Sequence, residues 1–267
     1  MKPEKGRPRA RQYLDNLLAS SRYTFTTTEA RTALAVSPAA LKVALNRLAR
    51  QKLIVSPAKG FYVIVPPEYR SLGSLPADQF IPALMSHLRL PYYAGLLTAA
   101  QYHGAAHQRP QEFQVMLDRP RRPIECGRVR VHFIVRKNLR KVRVQDFNTP
   151  RGILLVSTPE ETAFDLVGYH RHAGGLSQVA TVLSELAEKI GPERLAMAAE
   201  HASIPCAQRL GYLLERVGAG EQARVLKDFV RARAHESAVL LPRASKVKGF
   251  RNEDWKLFIN SDIEVDL

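Results

Sequence analysis

Ser37-Pro38, followed by Leu41, Ala44, Leu45 and Leu48, constrains this chain more tightly than any other stretch. The serine hydroxyl can cap a helix, and the proline suits its first position, where a missing N–H costs nothing. At roughly 100° per residue the four apolar residues fall on one face. A helix is therefore expected from Pro38 to about Gln51. Its opposite face holds Ala39, Lys42, Val43, Asn46 and Arg50, with Arg47 at the edge. Upstream, Arg11–Ala19 carries an apolar stripe of Tyr13, Leu14, Leu17 and Leu18, and Thr27-Thr28-Glu29 opens a short helix through Ala30, Ala33 and Leu34. Downstream, Leu53–Val55 and Phe61–Val65 flank Ser56-Pro57-Ala58-Lys59-Gly60, a hairpin loop by its Pro and Gly. Three helices and a hairpin in this order predict a winged helix-turn-helix over residues 1–66. Binding to DNA is its leading reading, and a protein-interaction module is the other.

Charge points the same way. Residues 1–66 carry 12 Lys+Arg against 3 Asp+Glu, and residues 119–151 carry 11 against 2, while the whole chain is +15. A surplus confined to two blocks marks surfaces for a polyanion rather than general solubility. In the expected complex the third helix enters the major groove from its Ser37-capped end. There Asn46 can read adenine, Lys42 or Arg47 guanine, and Ala39 and Val43 a thymine methyl. Arg50 is expected on a phosphate. Lys59 at the wing tip and an N-terminal arm of Lys2, Lys5, Arg7, Arg9 and Arg11 are expected to track phosphates or enter the minor groove.

Pro66-Pro67 and the Gly/Ser/Pro-rich 70–76 stretch mark a boundary, so residues 67–267 form a second domain. Helices are expected at 77–90 and 95–103, then strands at 112–117, 128–135 and 152–157. Further helices are expected at 159–171, 177–190, 192–201, 205–217 and 220–233, with short strands at 238–241 and 255–260. The class is α+β with a helical C-terminal half. In the 128–136 strand, Val129, Val131, Phe133 and Val135 alternate with Arg128, Arg130, His132, Ile134 and Arg136, which predicts an arginine-rich outward face. Lys137, Arg140, Lys141 and Arg143 continue it, and Arg119, Arg121 and Arg122 lie in a loop able to share it.

The search for chemistry yields no catalytic set. Phosphate-loop, dinucleotide and hydrolase motifs are missing from the sequence. His103 and His107 share a helical spacing but lack a third ligand, and His170 and His172 read as a helix end, so neither a metal nor a cofactor is expected. Glu160, Glu161 and Asp165 open the helix that Thr158 caps. Glu161 is expected to close a capping box there, and metal-dependent processing of nucleic acid is the minor alternative for this trio. Cys126 and Cys206 show no zinc-type spacing, and no apolar run approaches the roughly 20 residues of a membrane span. With an N-terminus unlike a secretion signal, a soluble cytoplasmic chain is expected.

Several segments together resemble the AbiEi family of type IV toxin–antitoxin antitoxins. They are the helix-turn-helix with its Gly60–Val63 wing, the Tyr93–Gly104 stretch, Phe113–Leu117, and Leu155–Leu166. The resemblance implies a winged helix that binds inverted repeats at its own promoter and represses an operon. It implies a C-terminal domain that counteracts a nucleotidyltransferase-like toxin without a stable complex, and no enzymatic activity. A ligand-responsive winged-helix regulator is the alternative. Its mark would be an apolar pocket with convergent polar groups in 67–267.

Overall fold

The computed structural model describes residues 9–105, 111–242, 244 and 249–264. The first three helices are α1 (Arg9–Ala19), α2 (Thr27–Leu34) and α3 (Pro38–Arg50), with β1 (Thr24–Thr26) before α2. The capping box of α2 starts one residue earlier than the Thr27 opening: Thr26 Oγ1 accepts from Glu29 N–H, and Glu29 Oε2 accepts from Thr26 N–H at 2.7 Å. Arg22 pairs with the same carboxylate. Ala35 adopts the left-handed conformation and turns the chain into α3, where Ser37 Oγ accepts from Ala40 N–H at 3.2 Å. The wing is β2 (Ile54–Ala58) and β3 (Phe61–Ile64), in a sheet ordered β1-β3-β2. Gly60 closes it at φ +77°, a backbone state that glycine adopts without penalty. Leu14, Leu17, Phe25, Leu41, Leu45, Leu48, Ile54 and Ile64 form the small core beneath α3.

The wing does not stand free. Phe61 and Val63 of β3 belong to a second core, with Leu75 and, from α4 (Ala77–Leu88), Phe80, Ile81 and Leu84. That core lies on one face of a six-stranded mixed sheet ordered β6-β7-β5-β4-β9-β8. Its strands are β4 (Tyr92–Ala94), β5 (Phe113–Leu117), β6 (Ile124–Cys126), β7 (Val129–Val135), β8 (Val144–Thr149) and β9 (Gly152–Ser157), with α5 (Leu96–Tyr102) after β4. Strands β5/β7 and β4/β9 are parallel pairs, and the other pairings are antiparallel. The opposite face carries Tyr93, Met116 and Ile134 into the largest core. There they meet α6 (Pro159–Gly168), α7 (Leu176–Leu186), α8 (Pro192–Ala199), α9 (Ile204–Arg216) and α10 (Gly220–Arg233). The expected helices at 159–171 and 177–190 each end early, in 3-10 turns at His170–Ala173 and Ala187–Lys189. A small sheet of β10 (Ala238–Val239), β12 (Leu257–Ile259) and β11 (Phe250–Asn252) closes the chain. The architecture is the expected mixed α+β with a helical C-terminal half.

Both faces of the large sheet are covered, and this corrects the reading of β7. Ile134 is 4% exposed beneath the helical half, and Arg136 has only 15% of its side chain exposed, while Val135, expected inside, is 41% exposed. Alternation in one strand reports two different environments. It does not say that one of them is water.

Candidate nucleic-acid interface

Helix α3 is held by Leu41, Leu45 and Leu48 on the small core, which turns Ala39, Lys42, Val43, Asn46, Arg47 and Arg50 outward; all six are exposed, Val43 by 68%. Lys59 is exposed at the wing tip. Lys2, Lys5 and Arg7 lie outside the described residues. Arg9 and Arg11, expected in the arm, belong to the first turns of α1. Arg11 lines a groove between α1 and α3 together with Arg47, Val43 and Ala44, so α1 adds a cation beside the third helix.

Most of the second basic block is exposed, in groups at the two ends of β7, while Arg121 and Arg136 are drawn inward. Arg128 and Arg130 are exposed at the start of β7, whereas Lys137, Arg140, Lys141 and Arg143 are exposed beyond its end. At about 3.3 Å per residue the strand separates these groups by roughly 20 Å. Arg121 is half-buried with its guanidinium 5.5 Å from the Phe133 ring, on the α4 side of the sheet. Arg119 folds onto Asp118 at 2.8 Å, and Arg122 is exposed.

Arg136 is the clearest departure. Its Nε lies 2.8 Å from Asp165 Oδ1, off the N–H axis, so the contact is an ion pair rather than a hydrogen bond. Asp165 Oδ2 accepts from the Tyr93 hydroxyl at 2.6 Å, and the carboxylate is 1% exposed. Burial works against the Arg136 charge, but Asp165 and Tyr93 outweigh it and raise the guanidinium's pKa. Burial also pushes the Asp165 carboxyl up, so each charge depends on the other.

The remaining candidates for chemistry are occupied by structure. Glu160, 1% exposed, accepts from Arg194 Nε at 2.8 Å and Gly191 N–H at 3.0 Å. Thr158 Oγ1 caps α6 by accepting from Glu161 N–H, but Glu161 Oε1 takes the Arg143 N–H at 3.4 Å instead of closing the expected box. The Thr158 N–H is already used by the Arg143 carbonyl across the sheet edge. Burial is the main cause that pushes the Glu161 pKa up to about 7. His103 Nε2 bonds the Ser157 carbonyl at 2.7 Å, Nδ1 meets Gln145, and burial lowers its pKa. His107 lies outside the described residues. Burial likewise lowers His170 and His172, so the cationic helix end expected there is not favoured.

Two further groups carry no signal in the sequence. Arg151, in the β8–β9 turn, lies over the Tyr23 ring and pairs its Nε with Gln79 Oε1 at 2.6 Å, tying the first sheet to α4. Tyr69 and Tyr102 line a cleft near Arg128.

Residues 12–65 match the family described as "Transcriptional regulator, AbiEi antitoxin", and residues 93–216 match "AbiEi antitoxin C-terminal domain". The chain belongs to the AbiEi antitoxin family. Its role is thus that of an antitoxin or regulator. No curated protein matches the AbiEi chain in sequence. Among solved structures, the crystal structure of the RV2827C protein from Mycobacterium tuberculosis aligns with TM-score 0.67 at 17% identity, covering 96% of this chain and 92% of that one. That likeness shows the fold. Within the Tyr93–Gly104 and Phe113–Leu117 stretches that resemble the AbiEi family, Gly95 and Gln114 serve the scaffold. A Cβ on Gly95 would come within 2.6 Å of Met116 Cγ, and Gln114 accepts from Leu97 N–H at 2.9 Å while donating to the His172 carbonyl.

Proposed function

We propose that this chain is a DNA-binding antitoxin that represses its own operon from promoter inverted repeats and counteracts a nucleotidyltransferase-like toxin without a stable complex, in the cytoplasm and without catalysing a reaction. The observation that carries the DNA reading is α3. Its Ser37-capped end leads into an exposed row of Lys42, Val43, Asn46 and Arg47, with Arg11 of α1 beside it and Lys59 on the wing. A capped helix with outward polar and basic side chains, next to a hairpin, has the shape and charge to enter a major groove. The toxin partner rests on family membership alone. Lys137, Arg140, Lys141 and Arg143 form the part of the second block open to a polyanion at the far end of β7. The division at 66/67 is a proposal about function, because the two parts share a core.

The test separates base reading from phosphate contact. Asn46→Ala should lose about 1–3 kcal/mol on the operator with little loss on random duplex. Lys59→Ala should weaken all duplexes alike and reduce the salt slope by about one. Equal losses on both DNAs for Asn46→Ala would remove it from base reading. A wild-type chain with no preference for its own promoter would overturn the proposal.

A further inference from the structure

A cleft of about 400 Å³ opens in the second domain, walled by the 67–72 segment, the start of α4, the end of α5, and the first residues of β5 and β7. Its volume suits one small ligand rather than a chain. Arg128 and Arg130 reach it from β7, and neither guanidinium has an ion-pair partner among the described residues, although Glu125 stands opposite Arg130 in the ladder. Tyr69, Tyr102 and Phe113 supply ring surface to the same cleft, each half-buried and so held in place. Gln101 and Gln111 add amides, which both donate and accept. Asp78 adds a carboxylate, and Glu112 another that is shared with His132 at 3.4 Å.

We propose that this cleft binds a nucleoside phosphate. Two forked cations are suited to a phosphate, for which arginine is the usual bidentate donor. A bare anion would leave the rings unused and would face the carboxylates. A planar base stacks on tyrosine or phenylalanine, and its exocyclic amine or the ribose hydroxyls donate to carboxylate and amide oxygens. The two arginines therefore leave the DNA path and become ligand residues. This inference does not depend on DNA binding by α3.

Isothermal titration of the full chain with AMP and GMP is the test, with adenosine and inorganic phosphate as controls. The expected result is a Kd no weaker than about 1 mM for a nucleotide. Arg128→Ser and Arg130→Ser should each weaken it roughly tenfold, the effect of one lost charge-assisted hydrogen bond. Tyr102→Ala should weaken nucleotide but not phosphate. Unchanged melting of the arginine variants confirms that they fold. A 5′-phosphorylated dinucleotide that binds better than either mononucleotide identifies a strand end as the source of the same chemistry. No binding of any nucleotide, binding of phosphate equal to that of AMP, or affinities untouched by all three substitutions would each overturn the assignment.

Discussion

Replacing Arg136 should separate the two kinds of arginine in β7. On the surface, an arginine-to-serine change leaves stability within about 0.5 kcal/mol. Arg136 differs because its loss strands Asp165, which is 1% exposed and, among the described residues, otherwise accepts a hydrogen bond from the Tyr93 hydroxyl alone, at 2.6 Å. Breaking a buried pair from one side costs about 3–5 kcal/mol. The Arg136 side chain retains 15% exposure, through which water can reach the site, so the lower end applies, about 3 kcal/mol. For a chain of this size that is roughly 6–12 °C in melting temperature. Arg136→Ser should therefore melt well below wild type, with Arg128→Ser alongside as the surface control. The double variant Arg136→Met/Asp165→Asn should recover part of the loss, because no charge is then left buried alone. Differential scanning calorimetry reads all four proteins. If Arg136→Ser melts within about 2 °C of wild type, or if the double variant is no better than the single one, the buried-pair argument fails.

Two further effects are expected. The folded state holds Glu161 near a pKa of about 7, above its unfolded value, so folding takes up a proton between roughly pH 4.5 and 7. This group's contribution to stability therefore falls as pH rises through that window, and the wild-type minus Glu161→Gln difference in urea midpoints should fall with it; a pH-independent difference would refute the shift. Gly211 of α9 lies against Trp255, and a Cβ there would come within 2.0 Å of Cζ3 of a ring that is fully buried and donates Nε1–H to Glu215 at 2.6 Å. Gly211→Ala should cost about 1–3 kcal/mol by overpacking and change the emission of the single tryptophan; unchanged emission and stability would mean that the ring moves freely.

The winged helix was legible in the sequence because its signals are local: a Ser-Pro cap, a 3.6-residue stripe and a Pro/Gly loop. The short strands β1, β4 and β6 were not, since three residues carry too little periodicity to stand out. Edge strand β8, Val144–Thr149, alternates only between exposed and half-buried positions, so it carries little strand signal. Glu161 has the right spacing for a capping box, but the backbone donor it takes is Arg143, 18 residues away and just before β8, which spacing cannot foresee. The inward turn of Arg121 and Arg136 escapes the sequence for the same reason. Register and layer order decide which arginines meet water, and both are set by partners distant in sequence.

The shared role of β3 bears on how the protein can be divided. Ile64 serves the core under α3, while Phe61 and Val63 serve the core under α4, and the Arg151 guanidinium presses on Tyr23 from outside. A fragment cut after residue 66 would hold the reading helix but show Phe61 and Val63 to solvent, an adhesive stripe on the flank of the wing. Such a piece would tend to self-associate, and its grip on DNA would report that stickiness as well as recognition. In the intact chain, the same stripe sets the angle at which the second domain leaves the first. If α3 grips a duplex as proposed, that packing would also orient the second domain relative to the duplex.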